Sequence, residues 1–435
     1  MIQRLACVTV FLAAGMAACP VSGEMQSVSD PNVPQTLPEY LKYAALHNAG
    51  LKAAFEEWKA ALEEIPQAGA LPDPRFTYGY FLEEIETRVG PQRQRVSLTQ
   101  AFPWFGTIEA REDAAAAGAK AAKQRFEAAK LQLFYQVKDA FHEYLYLRRA
   151  IEIARENLEL VRHFEEVARA KYIAATAQHP DIIRAQMQLA VLEDKVKELE
   201  ELQAPIVARL NAVLNPVRPI ELPWPVGRQM DTPDIDREEL LAILVRENPR
   251  LQAKDFELLD AQSRIELAKK KFYPDLGVGV DWIDTDDAMT SGVPDSGKDP
   301  VILMFTMNLP VWRKSYQGAQ QQARARARRT QFERKDLENN LLAQAAGVLY
   351  AFEDSGRKIA LYEDRLVPQA EELVGASETA YTAGTIDFLS LIDAQQTLLR
   401  HQLLLERARA TRQQRLAELE MLAGIDLGWV ESPRQ

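Results

Sequence analysis

The longest stretch of uninterrupted helix-forming sequence constrains the fold of this chain more than any other feature. Between Trp104 and His179 there is no proline, and only Gly106 and Gly118 interrupt strong helix formers. One helix of about seventy residues would extend roughly 100 Å, which exceeds the core of any globular domain. The sequence therefore predicts an elongated, mainly α-helical protein whose long helices pack lengthwise.

The apolar residues within this stretch predict neighbours on two sides of the helix. One seam follows the 3-4-3 spacing of a coiled coil and consists of Ile151, Ala154, Leu158 and Val161. A second apolar stripe lies beside it and consists of Ile153, Leu160, Phe164 and Val167. Sheets of helices rolled into a tube supply such neighbours, and so does a thick bundle.

The sequence contains an internal repeat. Asn48 and Leu51 in the first half match Asn248 and Leu251 in the second half. Further matches occur in the same order along both halves: Pro72 with Pro274, Pro103 with Pro310, Tyr172 with Tyr381, and the segment from Arg184 with the segment from Asp393. Because matching prolines recur in matching order, we interpret the chain as two pseudo-repeats.

Each pseudo-repeat is predicted to contain a helix, a β-hairpin and two long helices. The first repeat spans 24–220, with a hairpin at 75–102 and long helices at 104–179 and 181–214. The second repeat spans 236–427, with a hairpin at 275–311 and long helices at 312–383 and 386–422. A linker at 221–235 joins the repeats, and a tail at 428–435 ends the chain.

The strand-like segments are long enough to cross a bilayer. Leu276, Val278, Val280 and Trp282 alternate with small or polar residues, which gives one apolar face. Ordinary hairpins of a soluble domain show the same alternation. If the strands do cross lipid, open edges are not tolerated there, so several copies of the chain must share one barrel. The residues alone allow two, three or four copies.

The first residues indicate export from the cytoplasm. Arg4 precedes an apolar run from Leu5 to Ala18, which predicts a signal peptide at 1–23. Cleavage after Gly23 would leave no lipid. The segment that ends at Cys19 also resembles a lipobox, which makes Cys19 the candidate for lipidation.

Two segments carry a resemblance to a known family. These are the strand-to-helix step Phe102–Gly106 and the segment Tyr381–Gln395, set in the order of elements described above. They resemble the TolC-like outer-membrane efflux proteins, and the first leans toward the heavy-metal and cation branch. The resemblance implies a homotrimer in the outer membrane of a Gram-negative bacterium, with a twelve-stranded β-barrel in lipid and a periplasmic α-helical tunnel. It also implies a periplasmic adaptor and an inner-membrane pump of the RND type as partners.

The resemblance places the functional residues at the turns between the long helices. Gly384 suits a chain reversal and Asp387 suits a helix cap. The candidate adaptor contacts in the two turns are Gly384, Thr385 and Asp387 in the second repeat and Gln178, Pro180 and Asp181 in the first. The candidate gate residues are Asp393, Arg184, Tyr381 and Ser390. Asp393 would form an acidic ring around the three-fold axis, Arg184 would pair with it from a neighbouring helix, and Ser390 stands where relatives carry a second acidic residue. Solvated surface charges would look the same in the sequence.

Composition and motifs argue against other classes of function. The net charge of −11 disfavours nucleic-acid phosphates as partners. The five histidines include no His-x-x-x-His pair, and we find no phosphate-binding loop or nucleophile elbow, so we expect neither an enzyme nor a cofactor. The remaining alternatives are a periplasmic coiled-coil adaptor and a type I protein-secretion duct.

Overall fold

The computed structural model describes residues 33–227, 233 and 235–425. The predicted signal peptide 1–23, the lipidation candidate Cys19 and the tail 428–435 lie outside this range. Part of the predicted linker also lies outside it, namely 228–232 and 234.

The two repeats have the same order of elements. The first contains α1 (Leu37–His47), α2 (Ala49–Gly69), β1 (Arg75–Thr87), β2 (Gly90–Phe102), α3 (Thr107–Ile173), α4 (His179–Glu201) and α5 (Gln203–Leu214). The second contains α6 (Arg237–Glu247), α7 (Pro249–Lys270), β3 (Leu276–Thr285), β4 (Val301–Met307), α8 (Arg313–Leu361), α9 (Val367–Ala383) and α10 (Phe388–Ala423). A helix-dominated chain with a small sheet is therefore what the structure contains, as the sequence predicts.

Several boundaries differ from those that the sequence suggests. The predicted helix 104–179 is shorter, because Gly106 (φ 72°) precedes its first turn and the chain leaves the helix after Ile173. The predicted helix 181–214 is divided at Leu202. The last strand ends at Met307 instead of continuing toward 311, because Asn308 turns to bond Asp275 and Pro310 has no N–H to donate.

Two asparagines explain why the opening helix of each repeat is divided in two. The Asn48 side chain accepts a hydrogen bond from the Leu51 N–H at 2.9 Å, and Asn248 accepts one from the Leu251 N–H at 3.2 Å. Each amide also donates at 2.8 Å to a carbonyl of the last helix of its own repeat, that of Val213 or of Leu422. The matched asparagines therefore cap one helix and fasten another, in the same way in both repeats.

A π-helical turn, Tyr362–Leu366, joins α8 to α9 within the predicted helix 312–383. Pro368 follows it in the first turn of α9. Proline cannot donate to the carbonyl four residues earlier and its ring crowds that carbonyl, and a widened turn relieves both conflicts. The first repeat has no proline at the corresponding level, and α3 runs through it without interruption.

The four strands form one antiparallel sheet in the order β1-β2-β3-β4. One row across its apolar face consists of Phe76, Leu98, Val280 and Leu303, each directly opposite the next and all exposed. The row beside it, on the other face, consists of Thr77, Ser97, Asp281 and Ile302. Asp281 is fully buried there and forms an ion pair with Arg95. An apolar exposed face opposite a polar face is the pattern of strands that separate lipid from a wet interior.

The helices bury their apolar seams as predicted. Ile151, Ala154, Leu158 and Val161 are all buried, and so are Ile153 and Phe164 of the second stripe. Among the described residues, we find no helix that combines the length and apolar character needed to cross a membrane.

His142, in the middle of α3, makes the stability of the helical part depend on pH. Burial, together with the nearby charge of Lys138, lowers the pKa of His142 to about 4 from 6.5. Between these values the unfolded chain binds a proton that the folded chain does not, so the free energy of unfolding falls as the pH is lowered from 6.5 toward 4. Once the pH is below both values, the loss amounts to about 3 kcal/mol per chain.

We expect His142→Gln to flatten this dependence, because glutamine does not titrate. Thermal denaturation of the purified protein at pH 7.5 and pH 5 checks it. The wild-type midpoint should fall more than that of the variant, and equal falls would contradict the assignment to His142.

Candidate functional site

The two turns between the long helices lie together at one end of the helical part. The Lys171 ammonium, near the end of α3, donates to the carbonyl oxygens of Tyr381 and Thr382 at the end of α9. It also lies 4.8 Å from the centre of the Tyr381 ring. A lysine of the first repeat thus binds the last helical turn of α9 in the second repeat. The free carbonyl groups at the C-terminal end of a helix favour a cation. We call this end, with turns 174–178 and 384–387, the tip.

The second turn reverses the chain by local chemistry. Gly384 has φ 80°, a left-handed conformation that strains residues with a Cβ. The Thr385 N–H and hydroxyl both bond the Ala380 carbonyl, at 2.9 and 3.0 Å. Asp387 then caps α10, because its carboxylate accepts from the Ser390 N–H at 3.0 Å and from the Ser390 hydroxyl at 2.6 Å. Ser390, predicted at the gate, therefore completes a helix cap.

The first turn uses different residues. Ala175 has the left-handed conformation there, with φ 58°. Gln178 is the N-cap of α4, and Pro180 lies in the first turn of α4, where a missing N–H costs no helical bond. The Gln178 carbonyl accepts from the Asp181 N–H at 3.0 Å. Pro180 therefore starts α4, whereas the reversal itself takes place at Ala174 to Ala177.

An apolar core fills the space between α3, α4, α9 and α10 above the turns. Phe164, Phe388 and Leu391 are fully buried in it. The Tyr381 ring is 3% exposed and meets Phe388 edge to face at 5.3 Å between ring centres. The Tyr381 hydroxyl has no hydrogen-bond partner among the described residues, and burial together with the charge of Asp181 raises its pKa to about 12. Tyr381 is therefore a packing residue of the tip within one chain.

Both charged residues among the predicted gate residues, Arg184 and Asp393, lie on the surface. Arg184 forms its ion pair with Asp181, one turn earlier in α4, at 3.6 Å. Hydrogen bonds from Ser390 and the charge of Arg184 lower the pKa of Asp387. Asp393 is exposed and makes no ion pair within the described chain. It lies about 9 Å further along α10 than Asp387 and on another face of that helix. Within the described chain Arg184 is paired with Asp181 and not with Asp393. Pairing of Arg184 with Asp393 of another subunit stays a prediction.

A ladder of buried amides lies above the tip core and was not predicted from the sequence. Gln395 donates to Asn157 at 3.0 Å, and Gln188 donates to Gln395 at 3.2 Å. Asn157 donates in turn to Gln402 at 2.9 Å. The ladder joins α3, α4 and α10 through buried polar groups, and leaving such a group without a hydrogen bond costs free energy. The ladder therefore fixes the positions of the three helices relative to each other along their axes.

The comparisons with known proteins agree with this architecture. The sequence pattern of the family described as outer membrane efflux protein matches residues 41–215 and 240–425, one match for each repeat. The chain belongs to the outer membrane efflux protein family. As a member, it is an efflux channel of the outer membrane, not an enzyme, and it works as a homotrimer with a periplasmic adaptor and an inner-membrane pump. These predictions are confirmed.

Individual relatives are distant but cover most of the chain. The cobalt-zinc-cadmium resistance protein CzcC of Cupriavidus metallidurans is 23% identical over 369 residues, which cover 84% of this chain and 84% of CzcC. Nodulation protein T of Rhizobium leguminosarum bv. trifolii is 22% identical over 386 residues, which cover 86% of this chain and 82% of that protein.

Solved structures share the fold at still lower identity. CusC superimposes with a TM-score of 0.76 at 14% identity, over 89% of this chain and 92% of CusC. The open state of the Neisseria gonorrhoeae outer-membrane channel MtrE gives a TM-score of 0.73 at 19% identity, over 90% of this chain and 89% of MtrE. The predicted fold class is confirmed by these matches.

Proposed function

We propose that the protein is a passive exit duct whose periplasmic tip controls the passage of small solutes, and that heavy-metal cations are among them. The proposal rests on the structure of the tip, where Lys171 and one apolar core hold the ends of four helices together. A duct that opens there must separate helices that a few contacts now join. We further propose that the pump belongs to the RND type and that the adaptor contacts both turns.

The surface of a single chain supports an assembly of several copies. The strands β1 and β4 each have only one neighbour in the sheet of the described chain, so each carries an edge that a second copy can pair. Ile183, Met187 and Val191 form an exposed apolar stripe along α4, four residues apart. A stripe with this period indicates a helix that packs against another helix. We propose that a neighbouring subunit covers both surfaces.

We propose that Asp393 of three subunits forms an acidic constriction near the axis of the tip. Carboxylates in a narrow passage favour cations and repel anions. Asp393→Ala should therefore lower the cation preference of the channel in planar bilayers at low salt and change it little at high salt, where screening is strong. Asp364→Ala removes a carboxylate from the π-helical turn far from the tip and serves as the control. An unchanged reversal potential in Asp393→Ala would contradict the ring.

The cargo is tested in cells. The relative CzcC is named for resistance to cobalt, zinc and cadmium, and the relative OpmQ of Pseudomonas putida is named for pyoverdine export. We expect deletion of the gene to lower the tolerated concentration of Co²⁺, Zn²⁺ or Cd²⁺ and the wild-type gene to restore it. Lost tolerance to organic toxins alone would favour a duct for larger solutes.

The two alternatives from the sequence differ in how they stand. A periplasmic adaptor is set aside by membership of the family, which covers both repeats. A type I protein-secretion duct remains a variant with the same architecture, and proteomics of the medium tests it: loss of one secreted protein on deletion, with unchanged metal tolerance, would favour that variant.

A further inference from the structure

A basic cleft lies where the sheet meets the long helices. It has a volume of about 460 Å³ and is bounded by the start of α3, the end of α7 and the start of α8. Its basic lining residues are Arg111, Arg264, Lys270, Lys271 and Arg326. Asp275 is the acidic residue among those that line it, and it is already engaged by the Trp104 N–H at 3.1 Å. A cleft this basic is unexpected in a chain with a net charge of −11.

Three of these cations have no partner within the described chain. Arg264 is paired with Asp260 at 2.8 Å, and Lys270 donates to the Phe105 carbonyl at 3.0 Å. Arg111, Lys271 and Arg326 make no ion pair with a carboxylate among the described residues. The positive charges grouped at this cleft repel each other. An anion bound between them would lower the free energy of that repulsion.

The surrounding sequence extends the same charge. Positions 300–332 contain six Lys or Arg residues and no Asp or Glu. All six lie in the first part of α8, which begins at Arg313, shortly after the last strand ends at Met307. The positive segment therefore follows the end of the exposed apolar face of the sheet.

Aromatic side chains mark this level as a boundary between lipid and water. Trp104 stacks on Tyr273 with 5.1 Å between ring centres, and Phe105 and Trp312 are more than 70% exposed. Aromatic girdles of this kind lie at the headgroup level of membrane proteins. Because the long helices leave the sheet at this end, the cleft lies at the periplasmic headgroup region.

We propose that this cleft binds a phosphate group, that of an anionic phospholipid in the periplasm-facing leaflet. Lys271 and Arg326 would contact the phosphate from α7 and α8, and the neighbouring aromatic rings would hold the glycerol and the first part of the acyl chains. Basic side chains near a membrane surface attract anionic headgroups, and their long apolar stems tolerate the boundary. The bound lipid would connect the C-terminal end of α7 to the N-terminal end of α8, next to the sheet.

Native mass spectrometry of the full-length protein in mild detergent tests this proposal. The probes are phosphatidylglycerol, phosphatidylcholine with the same acyl chains, and inorganic phosphate. We compare wild type with K271Q/R326Q and with the matched control R324Q/R328Q, which removes two exposed arginines of α8 that do not line the cleft. All three proteins must show the same oligomer.

We expect phosphatidylglycerol to bind more tightly than phosphatidylcholine. K271Q/R326Q should weaken phosphatidylglycerol binding by about 10-fold or more, and R324Q/R328Q by less than about 2-fold. Displacement of the lipid by millimolar inorganic phosphate would support the phosphate site but assign it to the free ion. Equal losses in the two variants, or no preference for the anionic lipid, would overturn the proposal.

Discussion

Replacing Phe388 by alanine is expected to loosen the tip and raise the conductance of the resting channel. Phe388 is fully buried between α3, α4, α9 and α10, and its ring supports the buried ring of Tyr381. Truncating a buried phenylalanine costs about 3–5 kcal/mol, since the surroundings close the cavity only in part. The loss falls on the first residue of α10, directly after the turn that must move for the duct to open.

The control for this prediction is the next residue. Leu389 lies on the same turn of α10 but is 54% exposed, so Leu389→Ala removes a similar apolar volume without making a cavity. Single-channel recording in planar bilayers and thermal denaturation measure the two variants side by side. Phe388→Ala should show longer or larger openings and a lower midpoint, and Leu389→Ala should resemble wild type. A stable, closed Phe388→Ala channel would show that this core does not hold the tip shut.

The charges of the tip were harder to predict than its turns. Gly384 and Asp387 act through backbone conformation and a cap, which depend on residues within a few positions. Lys171 acts on carbonyls 210 and 211 positions away, and no local pattern encodes that distance. The one available signal was its place beside Tyr172, which the repeat pairs with Tyr381.

The sequence repeat predicted the shared order of helices and strands better than the environments of individual side chains. Asn48 and Asn248 have the same two roles, as their matched positions suggest. Tyr172 and Tyr381 also match, yet Tyr172 is 45% exposed whereas Tyr381 is buried. The two halves meet different neighbours at the tip, so residues with equal positions in the repeats have unequal environments.

The lengths of the helices show which features local sequence rules can predict. The absence of proline correctly indicated the uninterrupted length of α3. In the second repeat Pro368 was compatible with a helix only through a π-helical turn, and such a turn depends on the packing of the whole helix. In the same way, the amide ladder of Asn157, Gln188 and Gln395 joins residues up to 238 positions apart, which a pattern of apolar spacing does not report.

The two faces of the sheet predict a second large effect. Leu98 lies in the exposed apolar row of β2, opposite Phe76 on one side and Val280 on the other. An arginine on a lipid-facing position near the middle of the bilayer costs about 2–4 kcal/mol, and in a homotrimer the cost arises three times. We therefore expect Leu98→Arg to abolish most of the assembled protein in the outer membrane.

The neighbouring residue separates lipid exposure from general damage to the strand. Thr99 is paired with Arg75 and Gly279 and points to the opposite face, where Arg95 already pairs with Asp281. Thr99→Arg introduces the same side chain into the same strand, but into polar surroundings, so assembly should persist. Outer-membrane fractionation followed by electrophoresis without heating measures the trimer in both variants. If the two variants assembled equally well, the apolar face would not be the lipid-facing one, and if both failed, the strand would be intolerant of arginine on either face.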